Sequence, residues 1–183
     1  MNVLLFLTKT FTDLYLLVVL LRLLLQYVRA DFYNPFSQFV VQATNGLVRP
    51  MRRLVPSIGR LDLATLIVLV VLEIVVTFLL LMLLRVQVPP LTLLWLSALR
   101  LVSLLIWAYT LAIFVTIILS WVAPGSYSPI GVVASQISEP LIRPFRRILP
   151  VMGGLDFSPA VALVLLYAAS IALSDLGLPA VLR

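Results

Sequence analysis

Neither cysteine nor histidine occurs in the 183 residues of this chain. Their absence excludes disulfides, thiolate nucleophiles, imidazole general bases and the usual zinc and haem ligands together. Charge is scarce as well: Asp and Glu number 7, Lys and Arg 13, and all four together make up only 11% of the chain. No carboxylate stands beside a hydroxyl and a base in the manner of a nucleophilic site. The sequence therefore predicts no enzyme, no metal site and no cofactor. What is present is apolar. Hydrophobic residues are 63% of the chain and mean hydropathy is +1.19, outside the range of a soluble domain. A bilayer core takes about 20 apolar residues per helix, so this length allows four spans with short connections and no separate soluble domain. The net charge of +6 belongs to arginines beside apolar runs, which favours an anionic membrane surface as partner and not nucleic acid.

Four apolar runs are legible. The first, Leu4 to Val28, is interrupted by Lys9, Asp13 and Arg22. Val28-Arg29-Ala30 has the look of a signal-peptidase site, but the run is too long for a signal core and no basic segment precedes it, so it reads as a span. The second, Leu63 to Leu84, carries Glu73 and stops at Arg85 and Pro89-Pro90. The third, Leu91 to Val122, contains Arg100, and its excess length suggests an interfacial lead-in before the spanning part. The fourth, Pro159 to Leu178, ends around Asp175, Gly177 and Pro179.

The most specific feature is an internal repeat. A gap-free shift that carries Tyr15 onto Tyr109 also carries Tyr33 onto Tyr127, Pro35 onto Pro129 and Gln42 onto Gln136. It then superimposes Arg49, Pro50, Arg52, Arg53, Pro56, Gly59, Leu61 and Asp62 on Arg143, Pro144, Arg146, Arg147, Pro150, Gly153, Leu155 and Asp156. Rare prolines and paired arginines do not coincide this way by chance. The expected fold is all-α: about four transmembrane helices in two tandem repeats, residues 1–94 and 95–183, each made of a span, an interfacial amphipathic helix, a basic loop and a second span. Two spans per copy make the repeats parallel in the membrane.

Within each copy, Asn34-Pro35 and Ser128-Pro129 read as an N-cap followed by proline at the first helical position. Phe36, Phe39, Val40, Ala43 and Leu47, and likewise Ile130, Val133, Ala134, Ile137 and Leu141, then fall at helical spacing. About 12 residues are too few to span, so each predicts a helix in the headgroup plane. A separate short segment follows, bounded by prolines to a turn or two: Arg49, Arg52 and Arg53 in one copy, Arg143, Arg146 and Arg147 in the other. Guanidinium forks chelate phosphate, which suits headgroups or an acidic partner protein. The plainer reading is topological, the arginines simply holding their side in the cytoplasm. Both readings place the basic loops in the cytoplasm and the chain ends outside. Asp62 and Asp156 precede the next spans and are expected to cap them, with a salt bridge to the nearby arginines as the functional alternative, and the two roles are compatible.

Ionisable residues at membrane depth normally have partners. Arg22 and Glu73 lie within roughly 5 Å of the same depth on adjacent spans and are expected to pair. Lys9 and Asp13 are one helical turn apart and are expected to pair locally. Such pairs either fix helix packing or mark an ion pathway. Thr77, Ser103, Thr110, Thr116, Ser120 and Ser170 are too scattered to form a continuous polar stripe.

Asp31-Phe32-Tyr33-Asn34-Pro35-Phe36, the duplicated Arg-Pro-hydrophobic-Arg-Arg core and Gly153-Gly154-Leu155-Asp156-Phe157-Ser158-Pro159 together resemble the YggT family, also called the YlmG family, of small bacterial and plastid membrane proteins. The resemblance covers nearly the whole chain. It implies a bacterial inner-membrane location, and links to osmotic-stress tolerance, to organisation of division or nucleoids and, in plastid relatives, to assembly of a haem-bearing membrane complex. Direct haem ligation does not carry over to a chain without histidine or cysteine. The first copy departs from the second at Arg60, where Gly154 stands. The expected function is a non-enzymatic membrane scaffold or assembly and stress-tolerance factor, with lipids, an unidentified membrane protein or a second copy as partners. The competing expectation is a component of an ion transporter or channel.

Overall fold

The structure, a computed structural model, describes residues 3–57, 59, 61–122, 126–149 and 156–182. Among them the order is α1 (Val3–Tyr27), α2 (Pro35–Arg52), α3 (Leu63–Leu83), α4 (Pro90–Val122), α5 (Pro129–Ile148) and α6 (Ser158–Asp175), closed by a 3-10 turn, Ala180–Leu182. Arg60, Pro150, Gly153, Gly154 and Leu155 of the repeated motif lie outside the described residues.

Helices α1, α3, α4 and α6 are long and apolar enough to cross a membrane. Large apolar side chains on their outer surfaces, among them Phe11, Val75, Phe78, Phe114, Ile118 and Val164, are half or more exposed or close to it. Such a surface would drive association in water and is at rest in hydrocarbon. Helix α4 runs unbroken for 33 residues. At 1.5 Å per residue that is about 50 Å, well beyond a hydrocarbon core of about 30 Å. Its surplus is continuous helix, so any interfacial lead-in is part of the same element.

Helices α1 and α3 end in left-handed caps. Arg29 (φ 56) and Arg85 (φ 57) lie two residues beyond the last helical residue. There Ala30 N–H reaches the Leu25 carbonyl at 2.8 Å and Val86 N–H the Leu81 carbonyl at 3.0 Å. Gly177 (φ 95) closes α6 in the same way, with Leu178 N–H on Leu173 O at 3.0 Å. Each cap turns the chain sharply at the end of a span.

The two helices starting at Pro35 and Pro129 are longer than expected, 18 and 20 residues, and absorb the arginine segments as their last turns. Pro50, Pro140 and Pro144 lie inside them. A proline removes one backbone donor and bends a helix, but it does not end one whose side is held by packing. In α2 that side is the stripe Ser37, Val40, Thr44 and Val48, all buried. In α5 it is Val133, Ala134, Ile137, Ser138 and Ile142. Arginines in the final turn also meet the negative end of the helix dipole.

Helices α1, α2 and α3 pack mutually, and so do α4, α5 and α6. The two trios meet through α3 with α4, α1 with α4 and α5, and α2 with α5. At that last junction the Asn34 amide nitrogen donates to the Pro129 carbonyl at 2.9 Å, tying the starts of α2 and α5 together at one end of the bundle. A continuous apolar core runs from Leu16, Leu20 and Leu25 through Leu69 and Leu80 to Leu96 and Leu99. A smaller one, Ile113, Ile142 and Ala162, joins α4, α5 and α6. The segment after α6 folds back: Leu178 and Leu182 are buried, and Trp95 Nε1 donates to the Leu176 carbonyl at 3.3 Å.

Candidate functional site

Arg100, a third of the way along α4, is almost fully buried and spends its guanidinium on partners from α1, α3 and the closing 3-10 turn. Nε donates to Glu73 Oε1 of α3 at 2.5 Å, Nη2 to Asp13 Oδ1 of α1 at 2.6 Å, and Nη1 to the Leu182 carbonyl at 2.7 Å. Lys9 Nζ sits 2.9 Å from the other Asp13 oxygen, and Thr77 Oγ1 donates to Glu73 at 3.1 Å. Two cations thus face two carboxylates, an electroneutral cluster in which every charge has a hydrogen-bonded partner. Beside it lies a cavity of about 270 Å³, lined among others by Lys9, Asp13, Glu73, Arg100, Ser103 and Trp107.

Glu73 therefore takes Arg100 and not Arg22. Arg22 turns instead to α2, where Nη1 donates to Thr44 Oγ1 (2.8 Å), Asn45 Oδ1 (3.1 Å) and the Val41 carbonyl (3.2 Å). Matching depth along two helices did not fix which way each side chain faces. Arg100 was the residue missed; its position inside the third apolar run, with a lone glutamate in the second, was the signal.

At the end of the bundle where α2 and α5 meet, each of these helices is stapled to the long helix that follows. Arg52 Nε donates to Asp62 Oδ2 at 3.1 Å, and Arg146 Nε to Asp156 Oδ2 at 3.0 Å. The two pairs occupy matching places in the repeated motif. Arg52 Nη2 also bonds Asp62 and reaches Gln26 Oε1 at 3.0 Å. Arg146 instead holds Glu139 of its own helix, at 2.9 and 3.1 Å. The first staple is the drier one, since the Asp62 side chain is fully buried while that of Asp156 is a third exposed.

Each carboxylate also serves a helix start. Asp62 accepts from Thr65 N–H at 3.3 Å as the N-cap of α3. Asp156 stands one residue before the α6 N-cap position and accepts from Ser158 N–H at 2.9 Å. Burial pushes the Asp62 carboxyl up, but the Arg52 guanidinium and the Thr65 donors outweigh it and hold it below its ordinary value. For Asp156 burial acts the same way and is outweighed by Ser158 and then Arg146. Asn34 caps α2 through Phe36 N–H at 2.8 Å and Ser128 caps α5 through Gly131 N–H at 3.3 Å. Arg49, Arg53, Arg143 and Arg147 are exposed and form no ion pair among the described residues. No group of three or more carboxylates that could hold a metal occurs among those residues either.

The chain matches the family model described as CCB3/YggT over residues 1–83 and again over 95–177. It is 46% identical to the uncharacterized protein PA0392 of Pseudomonas aeruginosa over 88% of this chain and 83% of that one. With the uncharacterized protein YggT of Escherichia coli (strain K12) it shares 41% identity over 96% of this chain and 91% of the relative. An uncharacterized protein of the proC 3' region of Vibrio alginolyticus is 44% identical over 96% of each chain. No solved structure matches. Two model matches that together take in most of the chain, and relatives of this identity and coverage, place it: the chain belongs to the CCB3/YggT family.

Proposed function

We propose that this is a non-enzymatic, multi-pass inner-membrane scaffold or assembly factor, built from two tandem copies of one unit. Its spans anchor two amphipathic helices whose arginine ends meet anionic phospholipid headgroups, or an acidic partner, on the cytoplasmic side. The observation that carries this reading is the division of labour within each arginine segment. One arginine of each, Arg52 or Arg146, is tied to the carboxylate of the next span. Its neighbours Arg49, Arg53, Arg143 and Arg147 stand exposed beside it. A sequence selected only for positive loops needs a count of arginines and no fixed pairing. The pairing instead orients the free forks at the end of the bundle. A role in osmotic-stress tolerance belongs to this reading as the process such a scaffold would serve.

Replacing Arg49, Arg53, Arg143 and Arg147 together by glutamine tests it. Each arginine near an anionic surface contributes about 1 kcal/mol. The variant is expected to lose most of its affinity for phosphatidylglycerol in mixed micelles while keeping its elution profile in detergent. Unchanged affinity, together with unchanged crosslinking to neighbours in cells, would remove the proposal.

A second reading rests on the cavity beside Lys9, Asp13, Glu73 and Arg100: an ion-transport component that uses these charges along a path through the spans. Ion flux into proteoliposomes decides it. Flux no greater than in empty liposomes leaves it without support.

A further inference from the structure

A cleft of about 580 Å³ lies between the end of α1 and the flank of α5. Tyr27, Arg29, Gln136, Glu139 and Arg143 are among its lining residues. This is the volume of a small-molecule site. Its chemistry is unbalanced in one direction. Glu139 is already engaged by Arg146, whereas Arg29 and Arg143 form no ion pair among the described residues. The Gln136 amide oxygen is buried and has no hydrogen-bond partner among the described residues. Two open guanidinium forks and an acceptor short of a donor call for an anion that carries a donor close by.

Position narrows the class further. Tyr27 is the last residue of a helix apolar enough to span, and it is half-exposed, as aromatic residues at the edge of the hydrocarbon commonly are. Arg29 follows in a left-handed cap (φ 56), a conformation that glycine usually supplies. That cap is anchored by the buried Ala30, so Arg29 has a set place at the lip of the cleft. A ligand here sits where acyl chains end and headgroups begin. We infer that the cleft is a specific phospholipid site: Arg29 and Arg143 hold the phosphodiester, and the Gln136 amide takes a headgroup hydroxyl or ammonium. The inference rests on the arginine end of the bundle lying at headgroup level, but it assigns a discrete site in place of a diffuse basic face.

The test is native mass spectrometry of the full chain released from detergent with phosphatidylglycerol added, and with soluble glycerol phosphate as competitor. Retained lipid is expected to fall about tenfold or more in R29Q/R143Q. R49Q/R53Q/R147Q, which thins only the diffuse headgroup contacts, should lower retention much less than R29Q/R143Q does, and glycerol phosphate should not displace the lipid. Gln136→Leu, which keeps both arginines, should also lower retention and provides the answer should the double variant fold poorly. Undiminished retention in R29Q/R143Q, or in Gln136→Leu where the double variant does not fold, overturns the site. Equal loss in R49Q/R53Q/R147Q overturns it in favour of diffuse binding and leaves the proposed function standing. Displacement by glycerol phosphate overturns the lipid as occupant and assigns the cleft to a soluble phosphate ester.

Discussion

Among single residues, Arg100 and the two carboxylates it satisfies tie α1, α3 and α4 together. Removing one partner of a buried ion pair costs about 3–5 kcal/mol, because the other charge is left stranded, whereas apolar replacement of both is often close to neutral. Arg100→Gln is therefore expected to lower the thermal midpoint in detergent sharply, and Arg100→Met with Glu73→Leu to recover much of the loss. A double variant as unstable as the single one would show that the cluster is not held by charge. Asp62 and Asp156 predict a pH dependence. Both are held below the ordinary carboxylate value of 3.8. A depressed carboxylate stabilises fully above the unfolded value, and that contribution is lost as pH falls through the folded one. Stability should hold from neutral pH down and decline below about pH 4. Asp62→Asn should flatten that acid limb in thermal melts across pH. The residues of the cluster were all visible as interruptions in apolar runs, yet their pairing was not. Depth follows from counting at 1.5 Å per residue, but facing depends on how three helices rotate about their axes, which no single run encodes.

Helices, as elements, divided into what pattern decides and what packing decides. The four helices apolar enough to span were legible to within a few residues, because each is a long apolar run and Arg85, Pro89 and Gly177 punctuate them. The starts of α2 and α5 were legible too, from Asn34-Pro35 and Ser128-Pro129. Their ends were not. Pro50 and Pro144 look like stops in sequence, but Val48 and Ile142, buried two residues before each, hold the helix on through the bend. The staples formed at those ends differ in burial, which gives a graded prediction. Arg52→Gln should raise amide hydrogen exchange at the start of α3, around Thr65, because it strands a buried carboxylate. Arg146→Gln should change exchange at the start of α6 much less, since exposed ion pairs contribute little. Equal effects would contradict the assignment of the drier staple to the first half.

At the scale of the whole molecule, the arrangement is two mutually packed trios joined face to face, with α2 and α5 in contact at one end. The sequence shift that aligns Arg49–Asp62 with Arg143–Asp156 also carries one staple onto the other. It did not reveal the return after α6, in which Leu178 and Leu182 are buried and the Leu182 carbonyl meets Arg100, since a short apolar segment looks the same whether it packs or dangles. The central claim is that both arginine ends lie on one side of the membrane, opposite the turn between α3 and α4. The chain has no cysteine, so single reporters can be introduced without removing any. Gln42→Cys, Ile148→Cys and Gln87→Cys place one thiol each on exposed positions of α2, α5 and that turn. With a membrane-impermeant maleimide applied to intact cells, Gln87→Cys is expected to label at once, and Gln42→Cys and Ile148→Cys only after the membrane is opened. Labelling that separates Gln42→Cys from Ile148→Cys, or that puts Gln87→Cys on the same side as either, would contradict the account.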